Sequence, residues 1–331
     1  MRPTEPIEGV ILAAGRGTRM SPFSERYPKP LLPILNKPLI EHQIEYLRSL
    51  GVRKVFVVIG HLGHEIALAL RRGEGLGVQI EYVEQRDSLG IAHALMQLES
   101  RVSRTCVLLL GDIYFEVDGS VNPVEWMLER DAAGFLAVME ENDPRSIARN
   151  FAVHLDGDGI VRRVIEKPRF PQTHLKGCGI YVFDPRFFDA VRRTPRTAGR
   201  NEYELTDAIQ TYIDDGARVV ARVMMRCDIN LTYPYDLLLA NLRAVRELGG
   251  ENVVAPDAEI HPEAMLDECV IGPGAQLRTP ILLRRSVVFP ETVVTTSEWV
   301  DRAVVTPDAL VDCRYWVSAS ENAPVLAVHG R

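Results

Sequence analysis

Val10-Ile11-Leu12-Ala13-Ala14-Gly15-Arg16-Gly17-Thr18-Arg19-Met20 is the stretch on which the reading turns, and Tyr27-Pro28-Lys29-Pro30 follows close behind it. A short apolar run stops at Ala14 and gives way to a loop with glycines at 15 and 17 and cations at 16, 19 and 29. A strand ending in a glycine-rich, cationic loop has the makings of an anion site. Glycine lets backbone N–H groups approach phosphate oxygens, and Arg or Lys neutralises the charge. An ordinary strand-to-helix turn carrying surface charges fits the same residues, so the loop alone leaves both readings open.

Working outward, apolar strands alternate with helical patterns. Val10–Ala14, Val55–Ile59, Val78–Val83 and Cys106–Leu110 read as strands, and Leu39–Leu50, Ile66–Leu70 and Ile91–Leu98 read as helices. Strand and helix in alternation predict a parallel sheet covered on both faces, whose ligands sit outside the carboxyl ends of the strands. That rule places Gly15–Arg19, Gly60-His61, Gln85–Gly90 and Gly111-Asp112 along one edge. From Phe135 the chain is richer in strands (135–139, 151–155, 161–165, 179–183 and 218–223), with helices over 185–193, 203–214 and 234–248. The segment Arg169–Lys176 reads as a surface loop.

Beyond Gly249–Asn252 the texture changes. Ile260, Leu266, Ile271, Leu277, Leu283, Val288, Val294, Val300 and Val305 recur every five or six residues among Gly, Pro, Asp, Glu and Thr. This degenerate hexapeptide pattern predicts a β-helix, with a sandwich of short antiparallel strands as the alternative. The expected fold is therefore α/β. A Rossmann-like, mostly parallel sheet with helices on both faces occupies residues 1–249, a short C-terminal β-helix 250–318, and a tail 319–331.

The chain has 331 residues, 46% of them hydrophobic, enough for a large core and two domains. A net charge of −7 argues against nucleic acid or an acidic membrane as partner. Five scattered cysteines without a C-x-x-C pair predict buried thiols in a reducing compartment. With neither a signal-like N-terminus nor an apolar run long enough to span a bilayer, the expected location is the cytoplasm.

The first loop lacks the third glycine of the dinucleotide fingerprint, and no G-K-S/T follows it. Gly15, Gly17, Thr18, Arg19, Met20, Pro22 and Lys29-Pro30 instead resemble the signature of the sugar-1-phosphate nucleotidylyltransferases. The resemblance continues in order through Gln85 with Leu89-Gly90-Ile91-Ala92-His93-Ala94, Leu110-Gly111-Asp112, Glu166-Lys167-Pro168, Gly179-Ile180-Tyr181, Glu204-Leu205-Thr206-Asp207 and Cys227-Asp228. It is closest to the long thymidylyl- and uridylyltransferases for glucose 1-phosphate, which carry a hexapeptide-repeat tail.

The resemblance implies that Leu12, Ala14, Gly15, Gly17, Thr18, Arg19, Gln85 and Gly90 hold the nucleotide. It implies that Glu166, Lys167, Gly179 and Tyr181 meet the sugar phosphate and that Asp112 and Asp228 bind Mg2+. Arg19, Lys29, Asp112 and Asp228 would carry the catalysis. The chemistry of these residue types agrees. A sugar phosphate oxygen attacking an α-phosphorus is already an anion, so positioning and charge neutralisation are the main demands, and a magnesium ion on carboxylates suits them. Pro28 and Pro30 stiffen the backbone on either side of Lys29. His93 reads as structural.

Several positions depart from the family pattern: Asn230-Leu231 for a Gly-Thr, Arg226 for an aromatic, Ala152 for a glycine and Ile113 for an asparagine. They surround the sugar pocket and the second metal ligand implied by the family. Two alternatives therefore stay open, a guanylyltransferase for mannose 1-phosphate and a catalytically weak regulatory or sugar-nucleotide-binding subunit. An acyltransferase role for the repeat is disfavoured by its shortness and by a single histidine, His261. The expected partners are an NTP, a sugar 1-phosphate and further copies of the chain.

Overall fold

The computed structural model describes residues 6–199 and 201–314, together with the strand Val325–Leu326. The expected tail 319–331 otherwise lies outside the described residues, as do positions 315–318 of the expected repeat domain. The elements run in the order β1 (Glu8–Ala13), β2 (Pro33–Ile34), β3 (Lys37–Pro38), α1 (Leu39–Ser49), β4 (Lys54–Ile59), α2 (Gly63–Leu70), β5 (Gln79–Glu84), α3 (Ile91–Met96), β6 (Cys106–Leu110), β7 (Ile113–Val117), α4 (Pro123–Glu129) and β8 (Gly134–Glu140). They continue with α5 (Pro144–Arg149), β9 (Phe151–Leu155), β10 (Val161–Glu166), β11 (Leu175–Phe183), α6 (Phe187–Arg193), α7 (Leu205–Asp214), β12 (Val219–Val223), β13 (Met225–Asn230) and α8 (Pro234–Glu247).

The chain divides into two compact units. One holds the residues up to Arg16 with Glu41–Asp228, and the other holds Gly17–Ile40 with the chain from Ile229 onward. The signature stretch is thus cut between Arg16 and Gly17.

The first unit is built on a nine-stranded sheet of order β10-β9-β11-β6-β1-β4-β5, with β8 also beside β11 and β12 beyond β8. The strands β6, β1, β4 and β5 are mutually parallel, as the alternating sequence pattern predicts. β11 runs antiparallel to β6, β8 and β9. Val55, Phe56, Val57 and Val58 of β4 are fully buried, as a continuous β-branched and aromatic run should be when both faces of a sheet are covered. Ile40, Ile44 and Leu47 form the buried stripe of α1. α4 starts at Pro123 behind Asn122, whose Oδ1 accepts from the Val124 and Glu125 amides at 3.0 and 3.3 Å.

β11 corrects the expected loop at Arg169–Lys176. It begins at Leu175, four residues before the predicted strand, because Leu175–Gly177 ladder onto β8 and Lys176-Gly177 onto β9. Lys176 in mid-sheet broke the apolar pattern and hid the extension. β7 and α4 were also missed, being short and mixed in polarity.

The second unit contains three sheets of short strands stacked with a fixed offset. Val253 pairs with Val270, Val270 with Val287 and Val287 with Val304, all parallel and seventeen residues apart. The ladders through Glu259, Gln276 and Val293, and through Leu266, Leu283 and Val300, repeat that offset. This is a β-helix with three strands per coil, and Ile271, Leu277, Leu283, Val288, Val294 and Val305 fill its core. At its end Leu310–Asp312 folds back antiparallel on Ala303–Val305.

Gly17–Ile40 packs within this unit. Phe23 packs tilted and Tyr27 edge-to-face on Phe289 with ring centroids 5.6 and 5.3 Å away, and Asn36 Nδ2 donates to the Ile271 carbonyl at 2.8 Å. The fully buried Asn241 of α8 accepts from the Leu35 amide at 3.0 Å and donates to the Pro33 carbonyl at 2.9 Å.

Candidate active site

In the first unit, the carboxyl ends of β1, β4 and β6 are drawn together by two glycines. A Cβ on Gly60 would lie 2.6 Å from the Ala14 carbonyl oxygen, and one on Gly111 would lie 2.6 Å from that of Leu12. The Gly111 amide donates to the Leu12 carbonyl at 2.9 Å. Gly111 therefore permits the strand approach that brings Asp112 to the edge beside Leu12, Ala14 and Gly15. Gln43, which sequence reading missed, fixes the same turn. Its Nε2 donates to the carbonyls of Leu110 and Ile113 at 2.9 Å each, bracketing Asp112 from inside the protein. The clue in the sequence was a polar residue on the apolar face of α1, where a buried amide needs partners.

Gln85 and Gly90 also meet. Gln85 is buried, and its Nε2 contacts the Gly90 carbonyl at 3.3 Å and His93 Nδ1 at 3.0 Å. Gly90 has φ +106°, and a Cβ there would lie 2.5 Å from the Tyr203 carbonyl oxygen, so only glycine fits. His93 stacks on Tyr203 at 6.0 Å, in keeping with a structural role.

Glu166 ends β10. Its Oε1 lies 3.3 Å from Lys167 Nζ, and its Oε2 accepts from Thr206 Oγ1 at 3.3 Å. Lys167 stands at φ +42°, its amide held by the Asn150 carbonyl at 2.8 Å. Burial and, after it, the charge of Glu166 push the Asp207 carboxyl above its usual value. The family-like segments 166–167 and 204–207 are thus one cluster.

Gly179 gives way to Ile113, whose Cδ1 would lie 2.4 Å from a Cβ at that position. Tyr181 is 2% exposed and packs in the sheet's core with its ring stacked on Phe151 and Phe183. Alternate residues of a strand share a face, which puts Tyr181 with Phe183 over the core.

Asp228 lies in β13, the partner strand of β7, so it and Asp112 are carried on adjoining segments. Its Oδ2 is 2.9 Å from Lys176 Nζ, with both side chains nearly sealed from solvent at 1% and 4% exposure. Its Oδ1 is buried and accepts no hydrogen bond among the described residues. Burial works against the charge on Lys176, but Asp228 outweighs it and holds the ammonium pKa above its ordinary value. The Cys178 thiol is pushed far up, by burial first and then by Asp228.

This arrangement bears on magnesium. One carboxylate together with substrate phosphates is an ordinary donor set for that ion, and Asp112 fits it. Asp228 is ion-paired through Oδ2 with Lys176, so part of its charge is already balanced and a dication there would also meet the ammonium. Among the described residues, no three His, Cys, Asp or Glu side chains cluster as a metal site.

In the second unit, Gly17 has φ +64° and opens a short 3-10 turn, Thr18–Met20, that ends on the buried Met20. Thr18 and Arg19 are exposed. Another 3-10 turn, Lys29–Leu31, begins behind an extended Pro28, and the Lys29 stem lies against Gly17.

A model of the Nucleotidyl transferase family matches residues 8–231. The chain belongs to that family. It is 34% identical over 266 residues to the low-salt glycan biosynthesis nucleotidyltransferase Agl11 of Haloferax volcanii, covering 79% of this chain and 73% of that protein. It is 33% identical over 230 residues to the UTP–glucose-1-phosphate uridylyltransferase AglF of the same organism, covering 70% of this chain and 93% of the relative. Among solved structures, a putative glucose-1-phosphate thymidylyltransferase from Bacillus anthracis superposes with a TM-score of 0.64 at 26% identity, covering 72% of this chain and 95% of that one. The family match spans both the signature loop and Asp228, and the homologues are nucleotidyltransferases acting in sugar-nucleotide chemistry.

Proposed function

We propose that this nucleotidyltransferase joins an NTP to a sugar 1-phosphate, releasing pyrophosphate and an NDP-sugar, with dTTP or UTP and a glucose-type 1-phosphate as substrates. The observation that supports the reading is the Gln43-braced turn at Leu110-Gly111-Asp112, which presents a carboxylate at the carboxyl edge of the sheet that also carries Leu12. The named activities of the relatives agree with it.

In this reading Arg19 and Lys29 neutralise the triphosphate, and Lys29 acts most strongly as the α-phosphate reacts. Leu12, Ala14, Gly15, Gly17 and Thr18 supply the close-fitting backbone, and Gln85 with Gly90 frames the base. Glu166 accepts from sugar hydroxyls and Lys167 meets the sugar phosphate, and Gly179 contributes its backbone, the space of its missing side chain being taken by Ile113. Asp112 would hold Mg2+, whose charge offsets that of the phosphates. The sugar phosphate oxygen attacks in line with the departing pyrophosphate, and the protein forms no covalent intermediate.

The chain works in this proposal as a homo-oligomer in the cytoplasm. Met265, Leu282 and Trp299 support self-association. They follow one another at the coil offset and are 66, 37 and 53% exposed, an apolar ladder on one side of the β-helix. No described helix is long and apolar enough to cross a membrane.

A second reading, a catalytically weak binding subunit, is favoured by one observation, the neutralised Asp228. A melting screen of dTTP and the four common NTPs with Mg2+, then of sugar 1-phosphates, tests the proposal. Stabilisation by dTTP or UTP, with turnover on glucose 1-phosphate, is expected. GTP with mannose 1-phosphate would name the guanylyl alternative, and binding without turnover the regulatory one.

A further inference from the structure

We propose that Lys176 is the fixed cation of Asp228. Its ammonium takes the carboxylate that a second metal contact would use, so a divalent ion in this chain is held through Asp112 and substrate phosphates and not through Asp228. The identity of those substrates rests on the function proposed above; the arrangement of charges does not.

Three observations carry the inference. The pair is close and almost completely buried, with Nζ 2.9 Å from Oδ2. The lysine cannot withdraw easily, because it sits in the interior of the sheet. Lys176 is in register with Met139 of β8 on one side and Ala152 of β9 on the other. Its neighbours add little compensating negative charge. Glu141, the other carboxylate that acts on the ammonium, does so less strongly than Asp228. A dication bound at Asp228 would therefore sit beside a positive charge that has nowhere else to go.

The orphaned Oδ1 sharpens the point. Lys176 holds Oδ2 and leaves Oδ1 buried without a partner, so what keeps a dication from Oδ1 in this proposal is the charge of the neighbouring ammonium and not occupancy of that oxygen. Removing Lys176 alone should thus create a metal site that the natural chain does not have. Lys176 is in this sense a determinant of metal number and not a group that touches the reacting atoms.

The test is Mn2+ binding followed by electron paramagnetic resonance on the full chain, with and without dTTP. The double variant K176M/D228N removes both charges together, so no buried charge is left unbalanced. Its Mn2+ dissociation constant should weaken by threefold or less relative to the wild type, whereas D112N should weaken it tenfold or more. K176M alone should gain a further Mn2+ per chain, lost again when D228N is added. Weakening of more than threefold in the double variant would overturn the proposal, as would K176M folding normally and gaining no ion. If K176M fails to fold, the double variant decides by itself. None of these readings needs turnover, so an absence of pyrophosphate release would count against the proposed function and leave this comparison standing.

Discussion

A methyl group on Gly17 would stand 2.8 Å from Lys29 Cε and 3.0 Å from its Cγ, so the left-handed turn at Gly17 forms the surface along which the Lys29 stem lies. Two residues of the signature that are twelve positions apart in sequence are thus one structural element. Gly17→Ala should cost about 1 kcal/mol through its positive φ and also displace the lysine. We expect kcat to fall on the order of tenfold to hundredfold with a small change in melting temperature. A kcat within twofold of wild type would show that the placement of Lys29 is unimportant.

Lys29→Ala should lower kcat more than it raises the KM for nucleotide, because its charge matters most as the α-phosphate reacts. Steady-state kinetics separates the outcomes. If KM rises and kcat holds, the lysine contributes only to binding.

Asp112→Asn should abolish metal-dependent turnover with the fold intact, since the substitution keeps the shape of the side chain and leaves the Gln43 brace on Leu110 and Ile113 untouched. Circular dichroism and pyrophosphate release on the same sample are the check. Gln43→Leu removes the brace and leaves two carbonyls short of a donor, at about 1–3 kcal/mol. A fall in activity beyond that loss of stability would mark Gln43 as a positioning residue.

Much of this was legible in the chain. β1, β4 and β6 announced themselves as apolar runs and β5 by its alternation, with helical stripes between them, and the coils of the β-helix by spaced Ile, Leu and Val. What escaped reading depended on residues distant in sequence. Lys176 looked like loop polarity because only its partner at position 228 makes it a core residue. The burial of the Tyr181 ring was hidden in the same way, since Phe151 and Phe183 decide where it packs. Asn241 and Phe289 gave no local signal at all, since what they hold is Gly17–Ile40.

That last relationship is testable. Phe289 is 1% exposed and carries the rings of Phe23 and Tyr27. Phe289→Ala should cost about 3–5 kcal/mol and, in hydrogen exchange, loosen residues 18–31 along with the coil that contains it. Exchange confined to the coil, with 18–31 unchanged, would show that the loop is held by other contacts.

Thiol chemistry gives an independent check on burial. Burial raises Cys106 and Cys313 to about 12 and Cys269 to about 11, pushes Cys178 up as well, and leaves Cys227 only partly buried. At pH 8 a thiol with a pKa near 11 is about one part in a thousand thiolate, the reactive form. A disulfide reagent should therefore modify at most one cysteine per native chain, Cys227. Rapid modification of two or more would contradict the packing.

Acid stability has a defined sign at Glu81. Partial burial works to raise its carboxyl, but Arg101 and Lys54, the latter 3.3 Å away, outweigh it and hold the pKa below the usual value. The stabilisation is present above the unfolded value, about 4.3, and is lost as pH falls through the folded one. Between pH 5 and 3 the melting temperature of Glu81→Gln should decline less steeply than that of wild type. Parallel declines would show that the triad does not contribute.

The most direct measurement of the central claim is pyrophosphate release by purified protein with Mg2+ and dTTP or UTP, with and without glucose 1-phosphate. The account predicts release that requires the sugar phosphate, yields an NDP-sugar in equal amount, and disappears in Asp112→Asn. Equal release with and without the sugar phosphate, or none across the panel of nucleotides and sugar 1-phosphates, would contradict it.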